Sequence, residues 1–315
     1  MHSTTPIAKP KLRRRWLRFS VRGLLLAVTV LCVWLAWHVD RGNRQRDAAA
    51  AVRETGGAAL YDYEADIYDS GYSFSNCLRE PSTWERIEGQ IGREYCNDVV
   101  IVDFTFAEEA GKGIESLDGF PRLRWLHAPG ESITDDSLDH IAEQSRLEQL
   151  HLRGASITDD GLQSICRLRR LSHLSVAECD IGDVGVRHIA AIRSLRHLNL
   201  CGTRITDAGL RLLRELPSLE ALVLRDTDIT DAGIGHLAAM RQLHKLSLEG
   251  TRITNAAIDT LKTLPSLDYV ALDDTAVTSA AAEELARAFP DAMILANGFE
   301  SDEIPPELRE RPAEH

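Results

Sequence analysis

Four histidines pair off at an interval of 24 residues: His127 with His151, and His173 with His197. Imidazole titrates near neutrality and is the commonest protein ligand of transition metals. Four imidazoles within three strand spacings, each about 4.8 Å, could bind such a metal or titrate together. No carboxylate or cysteine on this face obviously completes a tight site, so a polar recognition surface is expected, with no bound metal or cofactor. A second column keeps the same interval: Asp135, Asp159, Asp183, Asp207, Asp231, Asn255 and Ser279. A line of carboxylates could ligate calcium. Here, though, the column follows one made almost entirely of threonine and opens an apolar stripe, the pattern of residues that accept backbone N–H groups at helix starts. No nucleophile motif, phosphate-binding loop or metal-protease helix is present, and no enzyme chemistry is expected.

The cysteines are ambiguous. Cys32 lies in an apolar run, leaving Cys77, Cys96, Cys166, Cys179 and Cys201. That odd number leaves at least one thiol unpaired within the chain. Cys166 falls in an apolar helical stripe and reads as a small core residue. Cys77 and Cys96 flank one short amphipathic stretch, and an oxidising compartment would allow them to pair.

What positions these residues is a repeat. Seven units begin at Leu123, Leu147, Leu171, Leu195, Leu219, Leu243 and Leu267, with the shared pattern L-x-x-L-x-L-x-x-T-x-I-T-D-x-G-L-x-x-L-x-x-L. The first, fourth and sixth positions point into a core, and the residues alternating with them face out from a parallel sheet. The eleventh (Ile133, Ile157, Ile181, Ile205, Ile229, Ile253, Val277) is apolar in every unit. No unit can bury its own apolar face, so the units must stack. On the outward positions this register places Trp125, His127, His151, His173, His197, Asn199, Arg225, Lys245 and Tyr269.

This pattern resembles the leucine-rich-repeat family over about Val99 to Leu295, which implies an α/β solenoid, a horseshoe of strand–helix coils. The T-x-I-T-D-x-G-L phrase is similar to the cysteine-containing, ribonuclease-inhibitor-like class found in F-box leucine-rich adaptors. Thr203, Thr227, Thr251 and Thr275 stand at the ninth position in place of the family's Asn or Cys, while Cys179 keeps a cysteine. No F-box-like helical module precedes the repeats, so the ubiquitin-ligase role of those relatives does not carry over. With its basic N-terminus and single apolar helix, the whole chain looks most like bacterial single-pass membrane-anchored proteins of this type.

Charge divides the chain. The first 22 residues carry seven Lys and Arg and no acid, so a net charge of -12 for the whole leaves -19 on the remainder. Such a body repels phosphate backbones and argues against nucleic acid as a partner. Gly23 to Val39 is 17 uncharged residues, about 26 Å as a helix. It is flanked by Trp16, Trp34 and Trp37, so a transmembrane helix over 23–39 is expected, with the basic segment 1–22 in the cytoplasm and the body outside. A cleaved signal peptide is the competing reading, but Trp34, Trp37, His38 and Asp40 occupy the place of a small-residue cleavage site.

Residues 40–57 read as a polar, alanine-rich stalk ended by Gly56-Gly57. Residues 58–122 read as an N-terminal cap with strands near 58–63 and 99–104 and, after the Ser82–Glu85 capping box, a helix bearing Trp84, Ile87, Ile91 and Tyr95. Residues 123–299 form the repeat domain, closed by a strand near 291–296, and 300–315 is an acidic, proline-containing tail expected to be disordered. The expected function is a membrane-anchored, extracytoplasmic surface for an unidentified protein partner. The alternatives are a structural or self-associating envelope protein without a discrete ligand, and an intracellular adaptor with inverted topology.

Overall fold

Each unit folds as its leucine spacing requires. In the computed structural model, which describes residues 21–62, 98–107, 109–297 and 299–300, the fourth unit withdraws Leu195, Leu198 and Leu200 into the core. His197 and Asn199 alternate with them and face out. The chain then turns at Gly202, whose φ of +65° is left-handed, a region that costs an L side chain about 1–2 kcal/mol. The same place in the other units is held by Gly130, Gly154, Glu178, Asp226, Gly250 and Asp274, all at positive φ. The coil therefore imposes this turn even where no glycine is available. Ile205 fills the core next, and the helix Asp207–Leu213 buries Leu210 and Leu213.

Stacked coils form one sheet of 11 strands, in chain order, among the described residues. These are β1 (Ala58–Tyr61), β2 (Val99–Asp103), β3 (Trp125–His127), β4 (Gln149–His151), β5 (His173–Ser175), β6 (His197–Asn199), β7 (Ala221–Val223), β8 (Lys245–Ser247), β9 (Tyr269–Ala271), β10 (Met293–Ala296) and β11 (Phe299–Glu300). β2 to β10 are parallel and in register, with β1 and β11 antiparallel at the ends. One continuous hydrophobic core runs beneath the sheet from Ala48 to Ala296.

The aspartate column does more than start helices. In the fourth unit Thr206 is the N-cap, its hydroxyl accepting from Ala208 N–H at 3.3 Å. The carboxylate of Asp207 reaches into the next coil instead, accepting from Thr230 N–H at 2.9 Å and Thr230 Oγ1 at 2.6 Å. Asp135, Asp183 and Asp231 clamp Thr158, Thr206 and Thr254 through the same two bonds. Asp159 meets Gly182 and makes only the backbone bond, at 2.7 Å. Asn255 takes both bonds from Thr278 on one oxygen, at 2.9 and 3.3 Å. The expected cap is thus a cap on the neighbouring coil. It also explains the glycine of T-D-x-G: a Cβ on Gly233 would lie 2.2 Å from Asp207 Oδ1, and one on Gly209 2.5 Å from Asp183 Oδ1.

At the N-terminal end, α1 (Val21–Glu54) is one unbroken helix of 34 residues. Its apolar first half is bare, with Leu24 58% and Trp37 53% exposed. Its second half, expected as a stalk, packs on the first coil. Ala48, Ala49 and Val52 are buried, and a Cβ on Gly119 would overlap Ala48. The run of alanines makes this close approach practicable, because each offers only a methyl group. Arg41 is ion-paired with buried Asp98, whose other oxygen meets Arg122 Nη1 at 2.8 Å. The helix closes at Gly56, φ +88°, and β1 returns alongside β2. Residues 40–54 therefore act as a cap over the end of the core, the role solenoids require at their termini.

Candidate partner-binding face

On the outward side of the sheet, one column reads Ile101, Trp125, Gln149, His173, His197, Ala221, Lys245 and Tyr269. Two residues further along each strand, a second column reads Asp103, His127, His151, Ser175, Asn199, Val223 and Ser247. Eight of the nine residues expected on this face occupy it. Arg225 lies just past the end of β7, where the alternation continues: Leu224 is buried, Arg225 is exposed, Gly202 N–H donates to the Arg225 carbonyl at 2.8 Å, and the Arg225 Nε is 3.2 Å from Asp226 Oδ2.

The four imidazoles fall into two pairs. His127 and His151 meet edge to face with centroids 5.5 Å apart, while His173 and His197 stack at 4.1 Å. Two hydroxyls missed by the sequence reading orient them. The Thr105 hydroxyl donates to Asp103 Oδ1 at 2.5 Å, so it can only accept from His127 Nδ1, 2.8 Å away. Ser172 Oγ donates to the Glu148 carbonyl at 3.1 Å and accepts from His173 Nδ1 at 2.9 Å. Each hydroxyl holds the plane of its imidazole through Nδ1. The signal for Thr105 and Ser172 was faint, because each lies outside the strand positions and acts through a neighbouring coil.

Burial, then the neighbouring His197 and His151, lower the His173 pKa from 6.5 to about 4, against a smaller opposing pull from Glu220. Burial first and then His127 lower His151, with Asp103 opposing. Burial lowers His197 as well, aided by Lys245 and Arg196 and opposed by Glu220. At neutral pH the middle of the face is consequently uncharged and rich in hydrogen-bonding nitrogen. Among the described residues, no group of three or more His, Cys, Asp or Glu is placed to hold a metal ion.

Other expected residues have structural duties. Trp125 packs against the cluster of Leu60, Val100 and Ile101. Asn199 Oδ1 accepts from Cys201 N–H at 2.9 Å and so shapes its own turn. Cys179 is buried, its thiol raised to about 11 chiefly by burial, and donates to the Leu152 carbonyl at 3.1 Å. Cys77 and Cys96, with the cap helix between them, lie outside the described residues.

A leucine-rich-repeat family model matches residues 145–166, 169–190, 191–213 and 215–238. Among solved structures, internalin C2 of Listeria monocytogenes is 23% identical with a TM-score of 0.43, over 57% of this chain and 72% of that one. Another internalin of the same organism (inlF) is 19% identical with a TM-score of 0.44, over 58% of this chain and 63% of that one. No curated protein matches the chain. Four consecutive units match the leucine-rich-repeat model and the same coil grammar continues on either side of them, so the chain folds as a leucine-rich-repeat solenoid.

Proposed function

We propose that the chain is a single-pass membrane protein that presents its repeat body outside the cytoplasm, periplasmic in a bacterial envelope, as a protein-binding scaffold. Leucine-rich repeats generally serve as protein-interaction scaffolds. The observation that carries the reading here is the outward side of β3 to β9, where imidazole, amide, ammonium and phenol groups line up at strand spacing on a rigid backbone. A preformed surface loses little conformational freedom on binding, which favours affinity. Neutral imidazoles beside Lys245 and Tyr269 suit a partner that offers polar side chains and backbone groups. The strongly acidic body disfavours nucleic acid. Anchoring is supported by the exposed apolar half of α1, and orientation by the seven basic residues before it.

A photo-reactive residue installed at His151 or Lys245 in intact membranes tests this reading, with exposed Arg211 on the convex side as the control. One cross-linked protein from the first two sites and none from the third is the expected result. Alanine at His151, His197 and Lys245 that left that product unchanged would overturn the reading. A product consisting of a second copy of the chain would assign the face to self-association. A reporter fused after His315 that is active only in the cytoplasm would overturn the orientation.

A further inference from the structure

α1 gives the solenoid a direction relative to the bilayer. Arg41, whose guanidinium lies 5.6 Å from the Trp37 ring, is ion-paired with Asp98 at the start of β2, while Val52 and Phe104, beyond its end, both crowd Gly57. α1 and β2 therefore run the same way. Because β2 to β10 are parallel, every strand begins on the side from which α1 emerges. The turns preceding the strands form the edge nearest the apolar segment. At the first coil that edge is level with Arg41, about 3 Å of helix rise past Val39.

This edge is basic in an acidic protein. Arg122, Arg146 and Arg170 stack in adjacent coils about 4.8 Å apart, where the next four units have Ser194, Ser218, Gln242 and Ser266. With Arg124, Asp62, Asp98 and Glu148 they line an open cavity of about 250 Å3. Arg122 is matched by Asp98 and Arg124 by Glu148, at 2.8 and 2.7 Å. Arg146, Arg167, Arg169 and Arg170 are exposed on the same edge and have no ion-pair partner among the described residues. The opposite edge, after the strands, is acidic on balance: Asp180, Asp226 and Asp228 pair with Arg204, Arg225 and Arg252, and Glu249, Asp273 and Asp274 stand beside them.

We propose that the arginine edge of the first coils docks on the acidic phospholipid headgroups of the leaflet from which α1 emerges, holding the solenoid against the bilayer with its acidic edge outward. The inference rests on α1 crossing the membrane, but not on which side the body lies. Guanidinium groups pair with phosphate oxygens in a bidentate fork. The tether keeps the edge within the roughly 10 Å over which such attraction survives in 0.1 M salt. Each arginine near an anionic surface strengthens its binding about fivefold.

The test is hydrogen exchange on the full chain reconstituted in vesicles of phosphatidylcholine alone or with phosphatidylglycerol, after an alkaline wash that retains only inserted protein. Peptides covering 143–148 and 166–172 are expected to be protected in the acidic vesicles only, and to lose protection in high salt. The double substitution Arg146→Glu and Arg170→Glu is expected to reduce the docked-to-undocked ratio by on the order of 25-fold or more, while protection of the core strands stays unchanged. Equal exchange in both vesicles, or insensitivity to the double substitution, would overturn the docking. Equal protection by inorganic phosphate in detergent would also overturn it, by assigning the cavity to free phosphate. Loss of the chain in the alkaline wash would instead sink the anchoring reading itself.

Discussion

Replacing Asp207 by alanine isolates the link between the fourth and fifth coils. The substitution removes two bonds, from Thr230 N–H and Thr230 Oγ1, and leaves the Thr230 hydroxyl as N-cap accepting from Ala232 N–H at 3.3 Å. Hydrogen bonds to a charged group contribute about 1.5–3 kcal/mol each when buried. Both residues are half-exposed, so the pair is worth about 2 kcal/mol together, or roughly 4–8 °C in Tm for a domain of this size. Urea denaturation of the chain in detergent, followed by circular dichroism, reads the loss. Asp207→Asn is expected to cost less than half as much, since Asn255 serves Thr278 in the same place. Gly233→Ala supplies a sign test. In the native protein its gain in helix propensity, about 1 kcal/mol, is opposed by the collision of its Cβ with Asp207 Oδ1. Combined with Asp207→Ala, the collision is gone and Gly233→Ala becomes plainly stabilising. Ala257 occupies the corresponding place in the next coil with the Asp231 clamp intact, so the collision is relieved by a small shift rather than by unfolding. An alanine at 207 costing less than about 0.5 kcal/mol, the size of an ordinary surface change, or equal costs for alanine and asparagine, would refute the inter-coil clamp.

Two further outcomes follow from the core and the face. Leu222→Ala, at a fully buried position in β7, is expected to cost about 2–5 kcal/mol, read as a shift of the urea midpoint; a shift no larger than that of a surface residue would contradict the continuous core. His173 is held at about 4 against its ordinary 6.5, so the unfolded chain binds a proton that the folded one refuses. Its contribution to stability is complete above about pH 6.5, falls as pH drops toward about 4, and is level below that. His151 and His197, also lowered, act in the same sense. The urea midpoint should fall between pH 7 and pH 4.5, and His173→Gln should reduce that fall. An imidazole titration midpoint for His173 at or above 6.5, followed by NMR, would contradict its burial.

Much of the fold was legible because the coil is a local pattern. Leucines at the first, fourth and sixth positions can be buried together only if the residues between them face out, which placed His127, His151, His173, His197, Lys245 and Tyr269 correctly. Arg225 keeps the same alternation just past the end of β7, where the coil begins to turn. The orienting hydroxyls were hidden for a different reason. Thr105 meets His127 across 22 residues, and Ser172 acts through the Glu148 carbonyl, so neither belongs to a pattern within one unit.

The amino-acid sequence by itself determined the repeat, its period, the inward and outward sets and the apolar helix, since each depends on residues within a turn or two of one another. Tertiary structure alone decided what stacking brings together. The aspartates reach forward to clamp the next coil, the histidines segregate into two pairs of different geometry, and the alanine-rich stretch after the apolar helix covers the end of the core. It also placed the arginine edge beside that helix: the turn at Gly56 reverses α1 into β1, β1 pairs antiparallel with β2, and the Arg41–Asp98–Arg122 contact holds the start of β2 against α1.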